Sequence, residues 1–177
     1  YRSVPPAIVH LVGGLLALFA ADLISLLVAW EILAFSAFFL LPGASSTVGK
    51  SVRMRYITVQ IIATVLFFIA LVIHVGRADS VELTALHPMA QTFMLPALLI
   101  KAAVFPLHFW LTYAYPAASP RVTPLLSVFA TKVGVVSAAR LLRFAPAGFP
   151  VVAWLGAISA VVAVVFALKQ HNGRRLL

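Results

Sequence analysis

The chain has 177 residues, of which 63% are hydrophobic and 10% charged, with 13 Lys and Arg against 4 Asp and Glu and no cysteine, and its mean hydropathy is +1.10. A water-soluble domain carries about 45–50% apolar and about 25% charged residues, so this composition fits a bilayer as solvent and an all-α, polytopic bundle of transmembrane helices. The lack of cysteine excludes disulfides, iron–sulfur ligation and thiol chemistry, and the net charge of +9 is no nucleic-acid footprint, because the basic residues gather at the ends of apolar segments.

Six apolar segments follow one another, over residues 6–20, 22–41, 56–75, 89–114, 122–142 and 150–168. Each is near the ~20 residues that a spanning helix needs, so about six spans are expected, in one transmembrane domain covering residues 1–177. Ala20-Ala21-Asp22 is barely a turn, which makes the first two segments antiparallel neighbours. Leu41-Pro42-Gly43-Ala44-Ser45-Ser46 stops the second helix. One side of the membrane receives Arg2, Lys50, Arg53, Arg55, Arg121, Lys169, Arg174 and Arg175, and the other only Arg77, Arg140 and Arg143. The positive-inside rule then puts both ends of the chain in the cytoplasm, with a bacterial inner membrane as the expected location. The chain starts at Tyr1 rather than Met and is expected to be a piece of a longer protein.

The fourth segment holds Pro96 and Pro106 on either side of Lys101. A proline inside a helix removes one backbone hydrogen bond and crowds the carbonyl four residues back. In lipid, backbone groups freed in this way need a partner or a wet cavity. A broken helix is therefore expected, with the break between residues 101 and 106.

Asp22, Asp79 and Glu82 fall at helix ends or in loops, whereas Glu31, Lys101 and Lys132 fall near the middle of the second, fourth and fifth segments. Each central charge costs about 2.5–3.5 kcal/mol to insert, and three cost on the order of 8–10 kcal/mol. Packing needs no such charges, and the default reading is an ion pathway. A static Glu31–lysine salt bridge would leave the other lysine unpaired. Burial disfavours a charged amine and a nearby carboxylate favours it, so this trio can change its proton occupancy. All three are expected to point into the bundle at mid-depth. His108 stands two helical turns after Lys101, and an imidazole suits a relay.

His10 and His74 lie toward segment ends and read as interfacial, and His87 and His171 as loop residues. No histidines have metal-ligand spacing, and no nucleophile–base or phosphate-binding motif is present, so no metal, cofactor or catalytic residue is expected. Ser127 and Thr131 neighbour Lys132 and can polarise water or bond their own helix. Gly134, Ser137 and Ala138 form a close-packing face on the fifth segment.

Four stretches resemble one family. Asp22 to Glu31, ending Val28-Ala29-Trp30-Glu31, is similar to its helix with an aromatic–glutamate pair. Lys101-Ala102-Ala103-Val104-Phe105-Pro106-Leu107-His108-Phe109-Trp110-Leu111 resembles its K-[SA]-A-x-F-P-x-H-x-W-L signature on a broken helix. Thr131-Lys132-Val133-Gly134-Val135 resembles the next helix, and Gln170 to Leu177 the Q-x-D-x-K-R-x-L stretch that follows. The family is the antiporter-like membrane subunits of respiratory complex I, of related membrane-bound hydrogenases and of multi-subunit Na+/H+ antiporters. Thr112, Arg121 and Asn172 depart from its usual pattern.

The resemblance implies that residues 6–142 form one five-helix inverted repeat, the first half-channel, and that 150–168 is the helix that follows. It implies that Glu31 pairs with Lys101 and that Lys132 passes the proton along the subunit. The expected function is proton translocation in the manner of the D-type subunit of a Na+/H+ antiporter. The alternative is a proton-pumping subunit of an NADH-quinone oxidoreductase or hydrogenase complex, whose redox site would lie in other chains, and the second alternative is a structural scaffold. Expected partners are other membrane subunits, protons, Na+ as a candidate second ion and the lipid bilayer, with no nucleic acid.

Overall fold

The computed structural model describes residues 4–42, 47–143 and 149–169. Among these residues eight helices follow in order: α1 Val4–Phe19, α2 Leu23–Leu40, α3 Thr47–Ala78, α4 Pro88–Lys101, α5 Phe109–Ala117, α6 Thr123–Phe129, α7 Lys132–Leu142 and α8 Phe149–Leu168. Among the described residues, four stretches are long and apolar enough to cross a membrane: Leu23–Leu40, Val48–Ala78, Thr123–Leu142 and Pro150–Leu168. The chain is thus an all-helical integral membrane protein. The Gly43–Ser46 part of the expected helix stop, the Gln170–Leu177 stretch, His171, and the charges Arg2, Arg174 and Arg175 lie outside the described residues.

The turn between α1 and α2 is tight because both helix ends are satisfied locally. Asp22 caps α2, its Oδ1 accepting from Ser25 N at 2.8 Å. Arg140 on α7 reaches the end of α1, donating to Leu18 O at 3.4 Å and Ala20 O at 2.6 Å. A guanidinium on the last carbonyls of a helix satisfies orphan acceptors and complements the helix dipole.

The third segment is longer than its apolar stretch. α3 has 32 residues, about 48 Å of helix against a hydrocarbon core of about 30 Å. Its first turns carry Lys50, Arg53 and Arg55, which the apolar pattern alone assigns to a loop. Arg53 donates to Leu41 O at 2.6 Å and lies over the Phe38 ring, and Arg55 lies over Tyr113. A helix can leave the bilayer without unwinding when its side chains find partners.

The fourth segment breaks where expected, between α4 and α5. Ala102 N still bonds Leu98 O, but Ala103 N turns to Ile100 O and Val104 N to Leu99 O. Ala103 has φ 54°, a left-handed conformation that costs a non-glycine residue about 1–3 kcal/mol. Pro96, expected to share in the break, instead lies inside the continuous helix α4. One proline removes a single bond, and the turns on either side keep theirs. The fifth segment has an interruption that its sequence does not announce, at Ala130-Thr131 between α6 and α7.

Two apolar clusters fill the bundle. One gathers Leu23, Leu26, Phe67, Met94, Leu98 and Val133, the other Ala37, Tyr56, Trp110, Tyr115 and Leu126. The α4–α5 break sits where they meet, and α7 crosses it at Gly134. A Cβ there would lie 2.5 Å from Ala102 N and 2.6 Å from Lys101 C, so only glycine lets the two backbones approach this closely.

Candidate functional site: a buried lysine at a helix break

Lys101 is the last residue of α4, and it is 2% exposed. Its Nζ donates to Gln60 Oε1 at 3.0 Å and to Trp30 O at 3.3 Å, and it sits 5.1 Å from the centre of the Trp30 ring. The acceptors are neutral. A buried ammonium can be held by oriented dipoles and a π face without a counter-ion, though less firmly than by a carboxylate.

Glu31 does not pair directly with Lys101. It is half-buried on α2, and its Oε1 accepts a hydrogen bond from the Thr64 hydroxyl. Gln60 and Thr64 are four residues apart on α3 and so share one face. This face separates the two charges: Gln60 takes the ammonium and Thr64 the carboxylate. The carboxylate also borders an outward-opening groove of about 800 Å³ between α1, α2 and α3. The groove is lined mainly by apolar residues such as Val9, Phe35 and Phe68, with Ser36 and Thr64 beside Glu31.

Several buried polar atoms near Lys101 have no partner among the described residues, including Gln60 Nε2 and Trp30 Nε1. Unsatisfied donors in an apolar interior are costly.

Lys132 differs from the expectation. It is exposed on the surface of these helices rather than turned into them. Its neighbours Thr131, Val133 and Gly134 are buried. The α7 face that packs on Lys101 is therefore the Val133, Gly134 and Ser137 face, and Lys132 lies off it. The cost of inserting a charge requires a polar neighbour, but it does not say on which helix that neighbour stands.

His108 is half-buried at the start of α5, against the Phe105 ring, with its Nδ1 unpartnered among the described residues. The expected shared face with Lys101 does not form, because the break lies between them. Inside the break, Phe105 N donates to Ser159 Oγ of α8 at 3.2 Å. His10 and His74 are buried among the helices. His74 Nδ1 accepts from His87 N at 3.2 Å, and His87 in turn caps α4. Among the described residues, no group of three His, Cys, Asp or Glu is placed to hold a metal.

Gln60 and Thr64 escape a sequence reading that weighs full charges alone. A lone amide in the centre of an apolar segment carries the same signal in weaker form.

The family described as NADH:quinone oxidoreductase/Mrp antiporter, transmembrane, matches residues 20–177. The chain is 34% identical over 146 residues to the D component of a probable K+/H+ antiporter of Rhizobium meliloti, covering 74% of this chain and 27% of that protein. It is 34% identical over 134 residues to NADH-quinone oxidoreductase subunit 14 of Thermus thermophilus, covering 73% of this chain and 30% of that one. A chain in the structure of the Mrp complex from a Dietzia species superposes with a TM-score of 0.85 at 27% identity, covering 97% of this chain and 35% of that chain. The chain thus spans about a third of the length of these relatives.

Proposed function

Because this chain belongs to the NADH:quinone oxidoreductase/Mrp antiporter transmembrane family, we propose that it is part of a proton-translocating subunit of a multi-subunit membrane complex, most like the D-type subunit of a cation/proton antiporter. The observation that carries the reading is the buried Lys101 ammonium held by Gln60 and Trp30 O while Glu31 is engaged by Thr64. Structural packing gains little from a lysine there, since an apolar side chain of similar volume would avoid the desolvation cost.

The proposed cycle uses the separation of the pair. When Glu31 leaves Thr64 and approaches Lys101, Coulomb attraction holds the proton on Nζ. At ~4 Å and an effective dielectric of 20 this attraction is about 4 kcal/mol. When Glu31 returns to Thr64, Lys101 keeps only neutral acceptors and releases the proton more easily. The helix break gives freed backbone groups and the space water needs. Lys132 is the proposed next station. It faces away from these helices, so its own acceptor would lie on helices beyond them. His108 is proposed to polarise water at the α5 end of the break.

In this reading residues 6–142 make one half-channel, the partners are other membrane subunits, and the location is a bacterial inner membrane with both ends of the chain cytoplasmic. Na+ or K+ is the proposed counter-cation. The alternative, a subunit of a redox-driven NADH-quinone oxidoreductase-type pump, would use the same residues.

The test is cation/proton exchange by the native complex in vesicles. Lys101→Ala should abolish proton movement while assembly survives. Near-normal transport by an assembled Lys101→Ala complex would leave a structural role as the better account. Proton movement that follows added Na+ or K+ favours the antiporter, and movement that requires an electron donor favours the redox pump.

A further inference from the structure

Where α4 ends, its last carbonyls need new partners. Leu98 O takes Ala102 N, Leu99 O takes Val104 N, and Ile100 O takes Ala103 N at 3.1 Å. Ile100 O also has a second donor, Trp110 Nε1 near the start of α5, at 2.9 Å. This bond crosses the break and ties α5 to the carbonyl of the residue just before Lys101. Trp110 and Ile100 are both buried.

The indole is itself held by α3. The Tyr56 ring meets it edge-on, with centroids 5.7 Å apart and planes at 66°. Tyr56 stands one turn before Gln60, so the two share a face of α3. The face that supports the indole is thus the face that receives the Lys101 ammonium at Gln60 Oε1. These contacts close a ring, from Tyr56 to Trp110, to Ile100 O, along the chain to Lys101 and back through Gln60 to α3.

Lys101 is therefore constrained at both ends of its side chain. Gln60 and Trp30 O hold the ammonium, and Trp110 holds the backbone from which the side chain extends. Without the indole, Ile100 O would keep the bond from Ala103 N alone, and Ala103 is in the costly left-handed conformation. A buried indole needs some acceptor for its N–H. Here that acceptor is a carbonyl that already has a donor and lies one peptide from the lysine.

We propose that Trp110 is a positioning residue for Lys101: its bond to Ile100 O across the break, backed by Tyr56, keeps the ammonium on Gln60 Oε1 and Trp30 O; this rests on the proton-path reading above. Trp110 neither takes nor gives a proton. It acts through Lys101, whose charged form is favoured by the acceptors that Nζ reaches. With the clasp lost, Nζ spends less time on those acceptors and holds its proton less firmly, so loading the lysine requires a lower pH.

The experiment is cation/proton exchange by the native complex in vesicles across a pH series, with assembly checked for each variant. Trp110→Phe keeps a ring beside Tyr56 and removes the N–H. Its rate at neutral pH should fall by up to about tenfold, as for the loss of one hydrogen bond, and its pH profile should move to lower pH by up to about one unit. In the Gln60→Leu background, where the amide acceptor is already gone, Trp110→Phe should displace the profile much less. An assembled Trp110→Phe complex with the normal pH profile overturns this proposal, as does an equal displacement in both backgrounds, while an inactive Lys101→Ala complex still supports the proton path. Normal transport by Lys101→Ala overturns both. If Trp110→Phe does not assemble, Tyr56→Leu decides: it removes the ring that backs the indole and should displace the profile in the same direction, and an unchanged profile counts against the clasp.

Discussion

Gln60 and Thr64 stand one turn apart on α3 and hold opposite members of a separated charge pair: Gln60 Oε1 accepts from Lys101 Nζ at 3.0 Å, and Thr64 donates to Glu31. A neutral amide holds the ammonium while leaving it free to lose its proton. Gln60→Glu would put a carboxylate where the amide now stands, and an opposite charge at ~4 Å holds the proton by about 4 kcal/mol, a factor of roughly a thousand. The assembled Gln60→Glu complex is expected to lose proton transport at neutral pH. Gln60→Leu removes the acceptor without adding a charge and should keep measurable transport. Vesicle exchange by the two variants checks this; equal rates would remove Gln60 from the mechanism.

Gly134 and Gly76 give a test of the fold that involves no proton. A Cβ at Gly134 meets the backbone at Ala102 and Lys101, and nothing lies within 4 Å of one at Gly76. Backbone cannot move aside as a flexible side chain can, so Gly134→Ala should destabilise the protein by about 1–3 kcal/mol or more. It should also lower transport, because it pushes on the break that carries Lys101. Gly76→Ala removes a helix-interior glycine and should stabilise α3 by up to about 1 kcal/mol. Thermal unfolding of the purified complex in detergent compares them, and similar shifts for both would contradict the close crossing of α7.

At the α1–α2 turn, the Ser25 hydroxyl, with help from the Ser25 backbone N–H, holds the Asp22 carboxyl below the usual carboxylate range. A group whose folded-state value is depressed contributes stability that is present above its unfolded value, near ~3.9, and is lost as pH falls through the folded one. Asp22→Asn keeps a capping oxygen but cannot titrate. The wild-type complex should lose more stability than Asp22→Asn between about pH 5 and pH 3, as followed by thermal unfolding. Parallel pH curves would show that the cap has no linked proton.

Hydropathy located the helices because a spanning helix needs an apolar run, and Pro106 pointed to the break, although Pro96 inside α4 shows that a proline alone does not end a helix and the left-handed Ala103 marks where the turn is lost. The interruption before Lys132 left no such mark: Ala130 and Thr131 are ordinary helix residues, and both keep right-handed helical backbone angles. Insertion cost identified Glu31 and Lys101 as central, yet it could not give the face of Lys132 or the partner of Glu31. The partner of Glu31 depends on how α3 turns Thr64 toward it, and the face of Lys132 on the close crossing of α7 at Gly134. Nor did the sequence show that His10, early in its segment, is buried: the glycines beside it let α1 pack closely into the bundle.

Lys101→Arg separates a mobile proton from a fixed charge. Guanidinium presents more donors than an ammonium and can still reach Gln60 Oε1 and Trp30 O, the two acceptors Lys101 uses now. It also keeps its proton at any accessible pH. If Lys101 serves only as a cation that fixes α4 against α2 and α3, arginine should restore function, and Lys101→Ala should fail chiefly through loss of assembly. If Lys101 must take up and release a proton, arginine should assemble and still not transport, and its failure should persist across the whole pH range rather than recover at high pH. The measurement is exchange in vesicles from about pH 6 to pH 9, with complex abundance determined in the same membranes. Transport by Lys101→Arg within a few-fold of wild type would exclude proton release from residue 101, and the buried charge would then be a structural one.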